Sequence, residues 1–336
     1  MSADIDKMPG TLVLTRSDVT SLLDYDTCIS AVEDAFLASA TGRVLTPAIC
    51  GTHVPNGGFH VKTAGLVGDR VVYALKVNGN FPGNRERTGL PTIQGLITLH
   101  DAVDGRVLAV MDSIRITEMR TAAATAVAAK YLARDNSRTA TIIGCGVQGR
   151  SQLRALRRVR NIEQVFAFDH NRETAQRYRE EMTEEMGIEI VIPEDYRVAS
   201  RSSDIVITCT PARDPVLGPN DVSPGCFVGA VGADSDTKQE IEPGLLASSK
   251  VVADVLDQCV VMGDLRYAIA AGMMTREDVH AELAEVVSAA KPGRTSDEEI
   301  IVFDSTGTAL EDVAAASVIY ERALVQQMGR SVEFSA

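Results

Sequence analysis

Apolar and polar positions follow two different rhythms along this chain, and the change falls near Thr117. From Ser17 to Ala40, Val19, Leu22, Leu23, Ile29, Val32, Ala35 and Phe36 recur at helical spacing and predict an amphipathic helix. Gly58 to Thr63, Val71 to Val77, Gly95 to Asp101 and Val107 to Asp112 then read as strands. The turn signals around them are Pro55-Asn56-Gly57-Gly58, Gly68-Asp69, Pro82-Gly83-Asn84 and Asp104-Gly105, so the expected pattern is mostly antiparallel hairpins. Asp104-Gly105, set between two apolar runs, is the clearest hairpin turn.

Beyond that point the rhythm changes. The Ala-rich run Thr117 to Ala133 predicts a helix with Thr117 as its N-cap. Apolar strands and amphipathic helices then alternate. Ala140–Gly144, Val165–Asp169, Ile188–Ile192, Ile205–Thr210, Phe227–Val231 and Val251–Asp254 read as strands, and Gly149–Arg157 and Arg172–Met186 as helices. This succession predicts an α/β domain with a parallel, doubly wound sheet. A last helix, Thr308 to Met328, lies outside the alternation and is free to return to the first region.

Composition narrows the function classes. The 336 residues suffice for about two domains. Aliphatic residues carry the burial, since Trp is absent, which suits a sheet covered on both faces. A net charge of −13 with no basic stripe argues against nucleic acid and anionic membranes as partners. The basic stretch Arg154 to Arg160 reads as one solvated helix face. Six scattered cysteines without a Cys-x-x-Cys pair predict neither a disulfide framework nor a metal site. The polar start, MSADIDKMPG, does not read as a signal peptide, and no run reaches the roughly 20 apolar residues of a membrane span. A cytoplasmic protein is expected.

The strongest local signal is Gly144-Cys145-Gly146-Val147-Gln148-Gly149, a GxGxxG that follows the apolar Thr141-Ile142-Ile143 and opens a helix. Gly144 permits the tight turn, Gly146 lets a pyrophosphate approach the backbone, and Gly149 allows close helix–strand packing. The helix N-terminus offers N–H groups and a positive dipole to the phosphates. Asp169 ends the next strand, a little more than about 20 residues on, where an acid binds the adenosine ribose hydroxyls. A carboxylate there repels a 2′-phosphate, so NAD or NADH is favoured over NADP. Arg172 just beyond is the counter-signal, and Asp169 also suits a turn before His170-Asn171. Thr210, and Gly232 with Ala233 and Asp234, follow later strands and are expected to line the cofactor cleft.

With these motifs in place the chain resembles the ornithine cyclodeaminase/mu-crystallin family from about residue 12 to 325. The likeness is carried by ALKVNGNFPGN (Ala74–Asn84), GLPTIQG (Gly89–Gly95), the run Gly105–Ala133 with MD-x-x-x-x-T-x-x-RTAA, IIGCGVQGRSQ, AVGADSDTKQEI and VFDSTGTALEDVAAA. The resemblance implies a Rossmann domain, residues 119–311, inserted in a second α+β domain for substrate and dimerisation, residues 1–118 with 312–336. It also implies a homodimer and chemistry at one carbon–nitrogen centre. Members include NAD-linked amino-acid dehydrogenases, ketimine reductases and cyclodeaminases that expel ammonia and return the hydride to the substrate.

Every one of these reactions needs a clamp for an α-carboxylate, and Arg120 and Lys76 match the family's pair. Arg offers a bidentate fork and Lys a point charge, and a desolvated Lys76 can also move protons at the imine nitrogen. Asp234 matches the acid used near the reacting amine, while Thr306 and Gly307 are expected to border the substrate as hydroxyl and backbone contacts.

Two departures stand out. Where many members carry Pro-x-Arg, this chain has Pro47-Ala48-Ile49, with Arg43 out of register. Where cyclodeaminases place a Glu before the clamp lysine, it reads Phe59-His60-Val61-Lys62. Alternation puts His60 and Lys62 on one face, so Lys62 is expected to replace the missing arginine and His60 to relay protons. The lost Glu favours simple hydride transfer between NAD and an α-amino or α-imino acid, by an imine reductase or L-amino-acid dehydrogenase. The alternatives are an ornithine or lysine cyclodeaminase that recycles NAD, and a non-catalytic binding protein, against which Lys76, Arg120 and Asp234 argue.

Overall fold

The computed structural model describes residues 10–334. The first nine positions of the polar N-terminal stretch lie outside the described residues. The chain divides into two compact units, Met1–Arg120 with Thr308–Ala336, and Thr121–Gly307.

The first unit is built on β1 (Thr11–Leu14), β2 (Val44–Val54), β3 (Gly57–Val67), β4 (Val71–Asn80), β5 (Ile93–Asp101) and β6 (Val107–Asp112), with a C-terminal strand Arg330–Val332. These make one seven-stranded sheet in the order C-terminal strand, β1, β6, β5, β4, β3, β2. β2 to β6 pair antiparallel in succession, as the hairpin pattern predicts, and only β1 with β6 is parallel. The turn between β2 and β3 uses Asn56 at φ 69°, a conformation Asn tolerates well. β1 and β2 carry no clear alternation and were not expected as strands. β2 contains Pro47 at an irregularity between Leu45 and Ala48, which an edge strand accommodates because Pro has no N–H to donate.

Alternation gives this sheet two different faces. One carries Leu14, Ala64, Ala74, Ile97, Leu99, Ala109 and Met111, all buried. The helix Ala309–Gln326 lies against β3 and β4 on this sheet and against the helix Tyr25–Ala40. The opposite face leaves Phe59, Val77 and Leu96 exposed at 43%, 41% and 53%.

The predicted helix over Ser17 to Ala40 is two helices, Arg16–Leu22 and Tyr25–Ala40. Asp24 breaks the run, since its carboxylate accepts from the Thr27 N–H at 2.8 Å and caps the second helix. The Ala-rich helix begins at Ser113 rather than at Thr117. Its first N–H groups, at Ile114 and Arg115, donate to Asp112 at 3.1 and 3.2 Å, so Asp112 performs the capping expected of Thr117.

In the second unit the alternation yields β7 (Thr139–Ile143), β8 (Gln164–Phe168), β9 (Glu189–Val191), β10 (Ile205–Thr208), β11 (Phe227–Ala230), β12 (Lys250–Ala253), β13 (Ala281–Glu282) and β14 (Ile301–Asp304). All pair parallel in the order β13, β12, β14, β11, β10, β7, β8, β9. From β7 the chain winds outward through β8 and β9, then resumes on the other side at β10. The order therefore reverses between β7 and β10, the place where doubly wound sheets receive ligands. Helices Val147–Val159 and Arg172–Met186 occupy the expected crossovers.

Candidate active site

In the first unit the chemistry gathers on the buried sheet face. Lys76 of β4 is 3% exposed, and its Nζ lies 2.5 Å from Asp312 Oδ2. Arg120 is 5% exposed, donating from Nε to Asp312 Oδ1 at 3.0 Å and from Nη1 to Glu311 Oε2 at 2.6 Å. Asp312 thus bridges the two cations that the sequence singles out. Arg120 lies about two turns into its helix, not in the first turn, because that helix starts at Ser113. Its expected fork is already engaged in part by the two carboxylates.

Glu311 and Asp312 were missed by the sequence reading. They sit in the first turn of the helix Ala309–Gln326, whose N-cap Thr308 accepts from the Leu310 N–H at 3.3 Å. Glu311 Oε1 accepts from the Thr308 N–H at 3.2 Å, closing a capping box while its other oxygen meets Arg120. The available signal was two acids within a run, Ala309 to Ala316, that is otherwise Ala, Leu and Val. Acids in such a run need cationic or hydrogen-bonding partners when buried.

This cluster sets the proton state of Lys76. Burial pushes its ammonium down, repulsion from Arg120 and Lys62 adds to that, and Asp312 opposes it; the result is about 7. Burial acts to raise Asp312, but Arg120 and Lys76 outweigh it and hold the carboxylate below its ordinary value. Asp312 therefore stays charged through the range where Lys76 titrates.

Lys62 is the direct cross-strand neighbour of Lys76 and, on its other side, of Ile49. The three residues form one row on the same sheet face. Lys62 thus stands one strand from Ile49, the residue that the resemblance sets against an expected arginine. His60 is exposed on the same face, opposite Gly51 and Asn78. The Asn78 side-chain oxygen accepts from Ser113 Oγ at 2.5 Å.

In the second unit the glycine loop has the predicted geometry. Gly144 has φ 103°, and a Cβ there would come within 2.8 Å of the Cys209 carbonyl oxygen. A Cβ on Gly149 would collide with the Gly144 carbonyl. Gly146, by contrast, faces open space and is the N-cap of Val147–Val159, with no side chain capping the helix. Backbone approach and undonated N–H groups are what a pyrophosphate needs, so these residues fit a dinucleotide. Val147 and Gln148 form the first turn beside Gly146.

Asp169 Oδ2 accepts from the Cys145 N–H at 3.0 Å, which fixes the carboxylate against the loop. Oδ1 accepts from the Asn171 N–H at 2.9 Å, so the turn-forming role is present as well. Arg172 is exposed at the first position of its helix, and Asn171 caps that helix. Thr210 donates from N and Oγ1 to Glu240 Oε1 at 2.6 and 2.7 Å, and Gly232 donates its N–H to Glu240 Oε2 at 2.7 Å.

The remaining candidates have partners within the second unit. Asp234 is exposed and held by Lys238 Nζ at 2.6 Å. Thr306 and Gly307, expected to border the substrate, donate to Asp254, from Oγ1 at 3.2 Å and from N at 2.6 Å. The buried Asp254 carboxylate captures them because Gly307 turns at φ 73° and brings its N–H inward.

The chain is similar to known proteins along nearly its whole length. The chain is 41% identical over 325 residues to an alanine dehydrogenase of Archaeoglobus fulgidus, covering 96% of this chain and 98% of the relative. A solved archaeal alanine dehydrogenase dimer with bound NAD superposes with a TM-score of 0.92 at 40% identity, covering 96% and 99% of the two chains. The Thermococcus litoralis Δ1-pyrroline-2-carboxylate reductase, solved with NADH and L-proline, gives 0.92 at 38% identity, covering 96% and 100%. The family model matches residues 10–327, and the chain belongs to the ornithine cyclodeaminase/mu-crystallin family.

Proposed function

We propose that the protein is an NAD(H)-dependent oxidoreductase acting on the C–N bond of a small α-amino or α-imino acid. The observation that carries this reading is the buried cluster of Lys76, Arg120, Asp312 and Glu311, in which Lys76 is brought to about 7. Bound NAD supplies the hydride acceptor, or as NADH the donor. The glycine loop from Gly144 to Gly149 holds its phosphates, and Asp169 takes the adenosine ribose hydroxyls.

Arg120 and Lys62 orient the α-carboxylate. Lys76 accepts a proton from the substrate nitrogen in oxidation and returns it in reduction, a role suited to a group titrating near neutrality. With His60 or a neighbour in place of the Glu that cyclodeaminases present to a second amine, a substrate with a plain side chain or a cyclic imine fits best. Similarity to an alanine dehydrogenase and a pyrroline-carboxylate reductase supports the same class.

The test is a panel of amino acids with NAD, and of oxo acids with amines or cyclic imines with NADH. Stoichiometric appearance or loss of the reduced-nicotinamide band, with matching product masses, is expected. Ammonia release and ring closure without net change in reduced nicotinamide would identify a cyclodeaminase instead.

The same reading includes a homodimer. The sheet face with Phe59, Val61, Val77 and Leu96 is apolar, and the similar archaeal enzyme is a dimer. Interfaces of obligate homodimers bury about 2,000 Å² or more. Light scattering should give the mass of two chains, and Leu96→Asp should shift it toward one; a monomeric parent protein would refute the dimer. A cytoplasmic location accords with six free cysteines and, among the described residues, no helix long and apolar enough to cross a membrane.

A further inference from the structure

Four buried carboxylates of the second unit lie outside the chemistry described so far, and they tie together the carboxyl ends of its parallel strands. Glu240 accepts four donors. Oε1 takes the Thr210 N–H and hydroxyl, and Oε2 takes the Gly232 N–H and the Thr208 hydroxyl, all between 2.6 and 2.7 Å. Thr208 ends β10, Thr210 follows it by two residues, and Gly232 follows β11. Asp264 Oδ1 in turn accepts from the N–H groups of Glu240 and Ile241 at 2.7 and 2.9 Å. Asp304, at the end of β14, accepts from the N–H groups of Asp264 and Leu265 at 3.2 and 2.9 Å. Asp254, just after β12, holds Gly307 and Thr306.

We propose that Glu240 is a positioning residue for the dinucleotide: its carboxylate fixes the separation of the β10 and β11 ends that carry the nicotinamide half, acting through Thr210 and Gly232 without touching the cofactor. This rests on the NAD-binding reading of the unit. The geometry singles out a carboxylate. Each oxygen receives one backbone N–H and one hydroxyl, so all its acceptor positions are used and no proton of its own is required. A hydroxyl can rotate away from a new neighbour, but a backbone N–H cannot. In Glu240→Gln the amide nitrogen must face either the Thr210 or the Gly232 N–H, whichever way it lies, and one strand end loses its tether. The glycine loop and Asp169 stand on β7 and β8 and make no bond to Glu240 among those described.

This asymmetry gives a test that a merely structural role would not pass. NADH and ADP-ribose are titrated separately by calorimetry against the full-length parent protein and Glu240→Gln. ADP-ribose engages the glycine loop and Asp169 but has no nicotinamide. Glu240→Gln should weaken NADH roughly tenfold, the scale of one charge-assisted hydrogen bond, and leave ADP-ribose nearly unchanged. Thr208→Val, which removes one donor and keeps the carboxylate, should show the same split at a smaller size, and it decides the matter if Glu240→Gln does not fold. Equal weakening of both ligands, or no weakening of NADH, overturns the proposal. A parent protein that binds neither ligand overturns the cofactor reading itself and the proposal with it.

Discussion

Both units bury carboxylates, but with different partners. In the first unit Asp312 and Glu311 meet Lys76 and Arg120, and Asp312 is held below its ordinary pKa because the two cations outweigh burial. In the second, Glu240, Asp254, Asp264 and Asp304 are held by N–H, hydroxyl and thiol donors. There burial dominates: Glu240 is pushed up, Asp264 well up, and Asp304 to about 7. A carboxylate facing cations tunes their proton affinity: burial and the neighbouring cations Arg120 and Lys62 bring Lys76 down to about 7, and Asp312 keeps it from falling further. A carboxylate facing backbone donors sets geometry. Under the proposed function the first arrangement serves chemistry at the substrate nitrogen, and under the proposal for Glu240 the second serves the shape of the cofactor platform.

The largest effect should come from removing the tuned proton carrier. Lys76→Met should lower kcat by about 10²- to 10⁴-fold, the usual worth of general acid–base catalysis, with NADH affinity hardly changed in a fluorescence titration. Comparable loss of NADH binding would erase the division of labour between the units. Asp312→Asn should come next. It leaves buried cations without their bridging charge and should cost about 3–5 kcal/mol of stability in urea unfolding. It should also move the activity break to lower pH, since Lys76 loses the partner that opposes its depression.

Asp304 gives a smaller effect of opposite sign to that of a paired carboxylate. Its folded pKa of about 7 lies above the ordinary 3.8, so its contribution to stability is full below 3.8 and is lost as pH rises through about 7. Within that window the slope is at most about 1.4 kcal/mol per pH unit. Asp304→Asn should flatten it in urea titrations at pH values inside the window. Lys76 acts elsewhere on the scale, because its contribution is full above the ordinary 10.5 and is lost as pH falls through about 7. Asp169 is a third kind of carboxylate, half-buried and anchored to the loop, with lone pairs left for a ligand. Asp169→Ser should narrow the preference for NADH over NADPH roughly tenfold in paired titrations, again the scale of one charge-assisted bond.

Much of the second unit was legible in the sequence because local rules dictate it. Parallel strands buried on both faces read as apolar runs, and the GxGxxG loop imposes its own backbone geometry, seen in Gly144 at φ 103° and the open space at Gly146. The first unit was legible where strands alternate cleanly, as in Val107–Asp112, and illegible in β2, an edge strand interrupted by Pro47. The row Ile49, Lys62, Lys76 could be anticipated only in part, since alternation gives the face but cross-strand register joins distant segments. Glu311 and Asp312 were missed because their partners are about 190 to 235 positions away in sequence, and only folding makes them neighbours. Glu240 and Asp254 have the same character, as their roles depend on which strand ends lie side by side.

The most direct test of Lys76 as the proton carrier is the pH dependence of kcat/KM for amino-acid oxidation, which reports the essential groups of the free enzyme. In the parent protein it should rise through a break at about 7 and level off above it, because the neutral amine is the acting form. In Lys76→Met the residual activity should show no such break. A break near the same pH that survives in Lys76→Met would place the proton carrier elsewhere and contradict the account.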